Sequence, residues 1–120
     1  MHEVVDSIPV LLTRPDPAAD RHRLAVWLPY FTGSKEAMAP TLERLASRGF
    51  TALSLDPWQH GERGTETGDE LSGRVFAAFR RGMWPILGQT TLDAIRVLDW
   101  ALERFDVAAD VVAGGISMGG

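Results

Sequence analysis

The chain has 120 residues, of which 45% are hydrophobic, and a formal net charge of -4 at pH 7. That is the size and balance of one globular domain or part of one, and the weak acidity argues against nucleic acid as a partner. It holds no cysteine, which excludes disulfides, cysteine-ligated zinc and a thiol nucleophile; no run approaches membrane-spanning length, and Met1-His2-Glu3-Val4-Val5-Asp6 lacks a basic stretch leading into an apolar one, so no secretory signal is read and a cytoplasmic protein is expected.

Val4 to Leu12 reads as a first strand, pairing antiparallel with the strand that follows it, and Pro15-Asp16-Pro17 as a turn. Leu24 to Leu28 is short and continuously apolar, the pattern of a parallel strand covered on both faces. Ser34 is placed to cap a helix running to about Arg48, with Glu36 in its first turn. Met38, Leu42 and Leu45 repeat there at helical spacing, and Gly49 is the stop. Thr51 to Leu55 is the next strand. A long excursion then runs from Asp56 to about Gly82, polar between Gly61 and Gly73, with a short helix expected over Val75 to Arg81. This segment reads either as a small helical lid or as a connecting helix packed on the sheet. A second long helix is expected over Ile86 to Arg104, with the stripe Thr91, Ile95, Leu98 and Leu102 facing inward. Val111 to Ala113 is the third parallel strand.

Strands alternating with helices indicate βαβ units around a mostly parallel sheet with flanking helices, an α/β fold. Three parallel strands do not close such a sheet. The Val111 strand has nothing in the chain to cover its far edge, and an open apolar edge invites pairing. Residues 1–120 are therefore expected to be a partial domain, its sheet completed by a C-terminal half or by a second chain.

The pattern richest in chemistry is Gly115-Ile116-Ser117-Met118-Gly119 after the apolar run Val111-Val112-Ala113. G-x-S-x-G after a strand is the signature of a nucleophile elbow, a sharp strand-to-helix turn that lifts a serine hydroxyl into the open. Any Cβ at Gly115 or Gly119 is expected to collide with neighbouring backbone. The competing reading is a glycine-rich turn with an incidental serine, since the bare five-residue pattern is a weak signal in a chain this rich in glycine.

Three segments together bear a family likeness: Phe31-Thr32-Gly33-Ser34-Lys35-Glu36, Asp56-Pro57-Trp58-Gln59-His60-Gly61-Glu62-Arg63, and Gly114-Gly115-Ile116-Ser117-Met118-Gly119-Gly120. In order and spacing the chain resembles the N-terminal half of an α/β-hydrolase, ending at the elbow. More narrowly, it resembles short bacterial carboxylesterases related to dienelactone hydrolases and to prolyl-oligopeptidase catalytic domains. The resemblance implies a serine hydrolase cleaving small carboxylic esters through an acyl-enzyme, with Ser117 as nucleophile. It also implies an oxyanion hole formed by the backbone N–H groups of Met118 and Phe31. Family members usually carry His-Gly just before that second donor, where this chain has Pro29 and Tyr30. Tyr30 and Trp58 are expected to wall the substrate pocket. No cofactor and no metal site are implied.

A serine hydroxyl needs a base, usually a histidine oriented by a carboxylate, and in this fold the order is Ser, then Asp or Glu, then His. Neither acid nor histidine comes after Ser117, so the 120 residues alone are expected to be inactive. Of the histidines, His2 and His22 are expected to be exposed. His60 lies on the right end of the sheet but out of order for a triad, and is expected to hydrogen-bond within its own turn. Asp56 and Glu62 read as turn formers or partners of Arg63. Two other readings stand beside the esterase: a truncated, non-catalytic module that pairs with another chain, and a peptidase or thioesterase of the same fold.

Overall fold

The computed structural model describes residues 1–120. The chain opens with a hairpin, β1 (His2–Val5) and β2 (Ile8–Thr13), rather than one strand over Val4 to Leu12. Asp6 and Ser7 form the two-residue turn, with φ of 48° and 68°. Two consecutive residues with positive φ give a hairpin turn whose twist matches that of the strands. Asp tolerates that conformation better than most residues, which is why the chain doubles back there.

The remaining strands are β3 (Arg23–Leu28), β4 (Phe50–Leu55) and β5 (Val112–Gly115), giving one five-stranded sheet in the order β1-β2-β4-β3-β5. β3 pairs parallel with β4 on one side and with β5 on the other, while β2 joins β4 antiparallel rather than β3, the strand that follows it in the chain. The apolar runs of the parallel strands are explained by the pleat, which sends alternate side chains to opposite faces. Leu24 and Val26 with Leu53 and Leu55 join Val10, Leu12, Val97 and Ala101 on one face. Trp27 and Ala52 meet Leu11, Met38 and Leu42 on the other.

That second face is covered by α1 (Ala39–Ser47). The expected helix from Ser34 is split: Lys35–Met38 is a 3-10 turn, and Ser34 makes no side-chain cap. Pro40 sits in the first turn of α1, where its missing N–H leaves no intrahelical bond unmade. Beyond β4 the helices also begin earlier than expected. Thr67 and Glu70 form a reciprocal cap, Glu70 N–H donating to Thr67 Oγ1 (3.1 Å) and Thr67 N–H to Glu70 Oε1 (3.2 Å). This S/T-x-x-E signature starts α2 at Gly68 and carries it to Ala77. Ala78, with φ -146° and ψ 71°, breaks the helix, and α3 runs from Phe79 to Arg104 with Pro85 inside it. Its inward face is Met83, Ile86, Thr90, Asp93, Val97 and Ala101. The stripe Thr91, Ile95, Leu98, Leu102 lies to one side, with Ile95 52% exposed. A buried aspartate and threonine within the true stripe disguise it in the sequence.

No helix is long and apolar enough to cross a membrane. β5 lies at the margin of the sheet, with β3 on its one paired side.

Candidate active site

The order β4-β3-β5 has a functional consequence. From β3 the chain passes to β4 on one side, and later returns to β5 on the other. The loops leaving β3 and β5 therefore diverge, and in open parallel sheets the crevice at such a switch point, outside the carboxyl ends of the strands, is where ligands bind. Three loops meet there, after β3, β4 and β5. Each contains a non-glycine residue in the left-handed region: Thr32 (φ 70°), Gln59 (φ 64°) and Ser117 (φ 54°). Backbone of this kind costs about 1–3 kcal/mol per residue and persists only where surrounding contacts hold it.

The elbow is fixed by close backbone packing. The Ile116 N–H donates to Leu28 O at 3.1 Å, fastening the end of β5 to the end of β3. A Cβ on Gly115 would stand 2.2 Å from the Gly119 carbonyl oxygen, and one on Gly119 would stand 2.5 Å from Leu28 O and 2.7 Å from Pro29 O. Contacts under 3 Å with backbone leave no room for any side chain, so both glycines are required by space. The 3-10 turn Ser117–Gly119 comes next, and Ser117 is exposed at its start.

Beside Ser117 lies a cavity of about 380 Å³ lined by Phe31, Phe76, Phe79, Met83, Leu87, Ser117 and Met118. Apart from Ser117 the lining is apolar, and its volume falls at the small end of ligand pockets. The break at Ala78 shapes it. Phe76 lies in the last turn of α2 and Phe79 begins α3, and their rings stack at 5.8 Å, while Phe31 meets Phe76 edge-on at 5.9 Å. The helical excursion packs on α3 rather than on the sheet: Leu71 and Val75 meet Met83 and Ile86, and Phe76 beside them lines the cavity.

The structure brings Ser117, Met118 and Phe31 together on this cavity. The Phe31 N–H donates to no acceptor within the chain. Tyr30 and Trp58 are not on it. The Tyr30 ring packs over Gly33, and the Trp58 ring lies under the Arg63 guanidinium at 4.9 Å. Phe76, Phe79, Met83 and Leu87 take their place. Phe76 and Phe79 lie in the apolar run Val75 to Phe79, whose lid reading pointed toward a pocket without naming which side chains line it.

The loops are anchored by buried charge. Asp56, 0% exposed, accepts the Lys35 N–H (2.9 Å), the Lys35 Nζ (3.1 Å) and the Glu62 N–H (3.0 Å). Lys35 Nζ also meets Glu62 (2.5 Å) and Glu36 (2.8 Å). Burial opposes the charge on Lys35, but the three carboxylates outweigh it and hold the ammonium above its ordinary range. Asp56 thus closes its own turn through the Glu62 N–H, one of the two expected roles, while the ion-pair partner of Asp56 and Glu62 is Lys35 and not Arg63. The Arg63 side chain pairs with buried Asp93 instead, and Gln89 Nε2 donates to the same carboxylate at 3.0 Å. An apolar-stripe reading of α3 gives no cue to Asp93.

His60 is 2% exposed. Its Nδ1 faces Trp58 O at 2.8 Å, and its Nε2 accepts the Thr32 N–H at 2.8 Å. With both ring nitrogens engaged it has no lone pair for Ser117. His22 precedes β3, at the opposite end of the sheet from Ser117, and His2 lies in β1. No group of three or more His, Cys, Asp or Glu side chains converges in a way that could hold a metal ion.

No protein-family model matches the chain, and no curated protein matches it. Solved structures do. TT1662 from Thermus thermophilus superposes with a TM-score of 0.72 at 23% identity, over 99% of this chain and 46% of that one. A protein assigned as a dienelactone hydrolase from Klebsiella pneumoniae gives 0.76 at 16%, over 99% and 50%. The esterase Est2 of Thermogutta terrifontis, solved with butyrate, gives 0.65 at 21%, over 99% and 41%. The chain has the α/β-hydrolase fold, and it spans about half the length of the proteins it matches.

Proposed function

We propose that residues 1–120 are part of a serine hydrolase that cleaves carboxylic esters bearing small uncharged groups, with Ser117 as its nucleophile. The observation that carries this reading is the coincidence of three things on one cavity: an exposed serine at positive φ after β5, the turn residue Met118, and Phe31 with its unpartnered N–H. In the first half-reaction Ser117 Oγ attacks the ester carbonyl carbon and loses its proton to a base. The carbonyl oxygen takes up negative charge between the N–H groups of Met118 and Phe31. Each such donor is worth about 10²–10³ in kcat. The tetrahedral intermediate then expels the alcohol oxygen, which takes the proton from the base, leaving an acyl-enzyme. Water repeats the sequence, releasing the acid and restoring the hydroxyl.

The three histidines of residues 1–120 are committed elsewhere or face away, so in this reading the base and its orienting carboxylate lie outside these residues. Further strands of the same protein would cover β5, in keeping with the share of the solved structures that the chain spans. The uncharged cavity wall favours hydrocarbon over charged groups, and the butyrate seen in the Thermogutta esterase supports a short acyl chain. The test is to express the complete gene with and without Ser117→Ala and follow p-nitrophenyl butyrate. Loss of several orders of magnitude is expected; hydrolysis undiminished in the alanine variant rejects Ser117 as nucleophile.

A further inference from the structure

We infer that His60 is a positioning residue for the oxyanion-binding loop, a strut between the loops after β4 and β3 that holds the Phe31 amide in its working orientation. The inference rests on the roles proposed for Ser117 and Phe31.

The tautomer is set by the partners. A carbonyl oxygen only accepts, so the contact with Trp58 O requires a proton on Nδ1. A backbone N–H only donates, so the contact with Thr32 requires a bare Nε2. Both contacts are 2.8 Å, and together they define a neutral ring used at both ends. An imidazolium would turn an N–H toward the Thr32 N–H and break the link. Burial disfavours that charge and lowers the His60 pKa, against smaller opposing contributions from the Trp58 carbonyl and the nearby Asp56 carboxylate.

The strut acts where the loop needs it. Thr32 is β-branched yet stands at φ 70°, a conformation rarely adopted by such a residue. Its N–H belongs to the Phe31–Thr32 peptide, one of the two peptide planes that meet at the Phe31 Cα; the other carries the proposed oxyanion donor. His60 therefore fixes the plane next to the donor. It also touches the Phe31 ring edge-on, with centroids 5.5 Å apart. The two ends of the loop are secured separately, by Leu28 in the sheet and by Lys35 on Asp56. The His60 contact fixes the middle.

The experiment uses the complete protein and three substitutions. His60→Leu fills the space but leaves the Thr32 N–H unpaired. His60→Gln puts a carbonyl oxygen near the place of Nε2, whereas the shorter His60→Asn retains only a donor near the place of Nδ1. With a p-nitrophenyl ester, kcat is expected to fall about ten- to a hundredfold in His60→Leu and His60→Asn, with KM changed little, and to recover largely in His60→Gln. Affinity for a trifluoromethyl ketone, which presents an oxyanion when bound, should fall in parallel with kcat. Equal kcat in the Gln and Asn variants, or a ketone affinity that does not follow kcat, overturns the inference even if His60→Leu does not fold. Ser117→Ala separates the two claims: if it abolishes hydrolysis while the His60 variants keep full kcat, the strut alone is rejected. Hydrolysis that survives Ser117→Ala, or is absent from the wild type, removes both.

Discussion

Asp56 binds Lys35 twice, through the backbone N–H at 2.9 Å and the side-chain ammonium at 3.1 Å. One carboxylate at the end of β4 thereby fastens the loop that leaves β3. Both side chains are almost wholly out of water, at 0% and 1% exposure. Removing one partner from a buried pair leaves the other charge desolvated and uncompensated, and that loss exceeds what the pair contributes against an apolar substitute.

Lys35→Met should therefore destabilise the protein by about 3–5 kcal/mol. The double variant Lys35→Met/Asp56→Asn should lose less than the single one, because the buried charge is gone while the amide oxygen can still accept a backbone N–H. Urea unfolding of the three proteins measures both. A single-variant loss under about 1 kcal/mol would show that water reaches Asp56.

Ser117 occupies a left-handed conformation at φ 54°, which glycine adopts without steric cost. Ser117→Gly is expected to raise stability by about 1 kcal/mol while abolishing hydrolysis. A stability decrease in thermal unfolding would mean that the serine side chain holds the turn rather than being strained by it.

At Gly119 the limit is space. The added methyl of Gly119→Ala would stand 2.5 Å from Leu28 O and 2.7 Å from Pro29 O, backbone atoms tied into the end of β3. The turn must shift outward, at a cost of about 1–3 kcal/mol, and Ser117 moves with it. Denaturant unfolding should show that loss, and kcat should fall by more than tenfold if the proposed nucleophile loses its alignment. Wild-type values for both would refute the packing described for the elbow.

His60 makes stability depend on pH. Its pKa lies below the ordinary 6.5 in the folded chain, so between the two values the unfolded chain binds more protons and stability rises with pH. The contribution is complete above about pH 6.5 and is lost as the pH falls from there through the folded-state pKa. His60→Gln, which does not titrate, should flatten that part of the stability profile. An unchanged slope between pH 7 and 5 would mean that His60 is not the group responsible.

Much of the fold was legible because it is written in short-range terms. The apolar run Leu24 to Leu28 and the segment Thr51 to Leu55 lie within a residue of β3 and β4, since short runs of that kind between turn signals are read from neighbouring residues alone. The errors have local causes too. Asp6-Ser7 carries no glycine to announce its turn, and the Thr67–Glu70 cap lies in a stretch polar enough to read as loop. The inward face of α3 was misplaced because Thr90 and Asp93 interrupt it with polar side chains whose partners, Trp58 N–H and Arg63, are about thirty residues away in the chain.

What the sequence by itself determined was the bend at residue 117: a serine flanked at two positions by residues without side chains, after an apolar strand, where the next backbone leaves room for nothing larger. What only the tertiary structure decided was the company that bend keeps. The meeting of Phe31 with Phe76 and the links from Lys35 to Asp56 and from His60 to Thr32 span 21 to 45 residues of chain. The placement of β5 on the far side of β3 from β4 joins segments still farther apart. Steric limits and periodicity act between neighbours and can be read along the chain. Which distant loops face each other is set by strand order, and strand order is chosen by the burial of the whole.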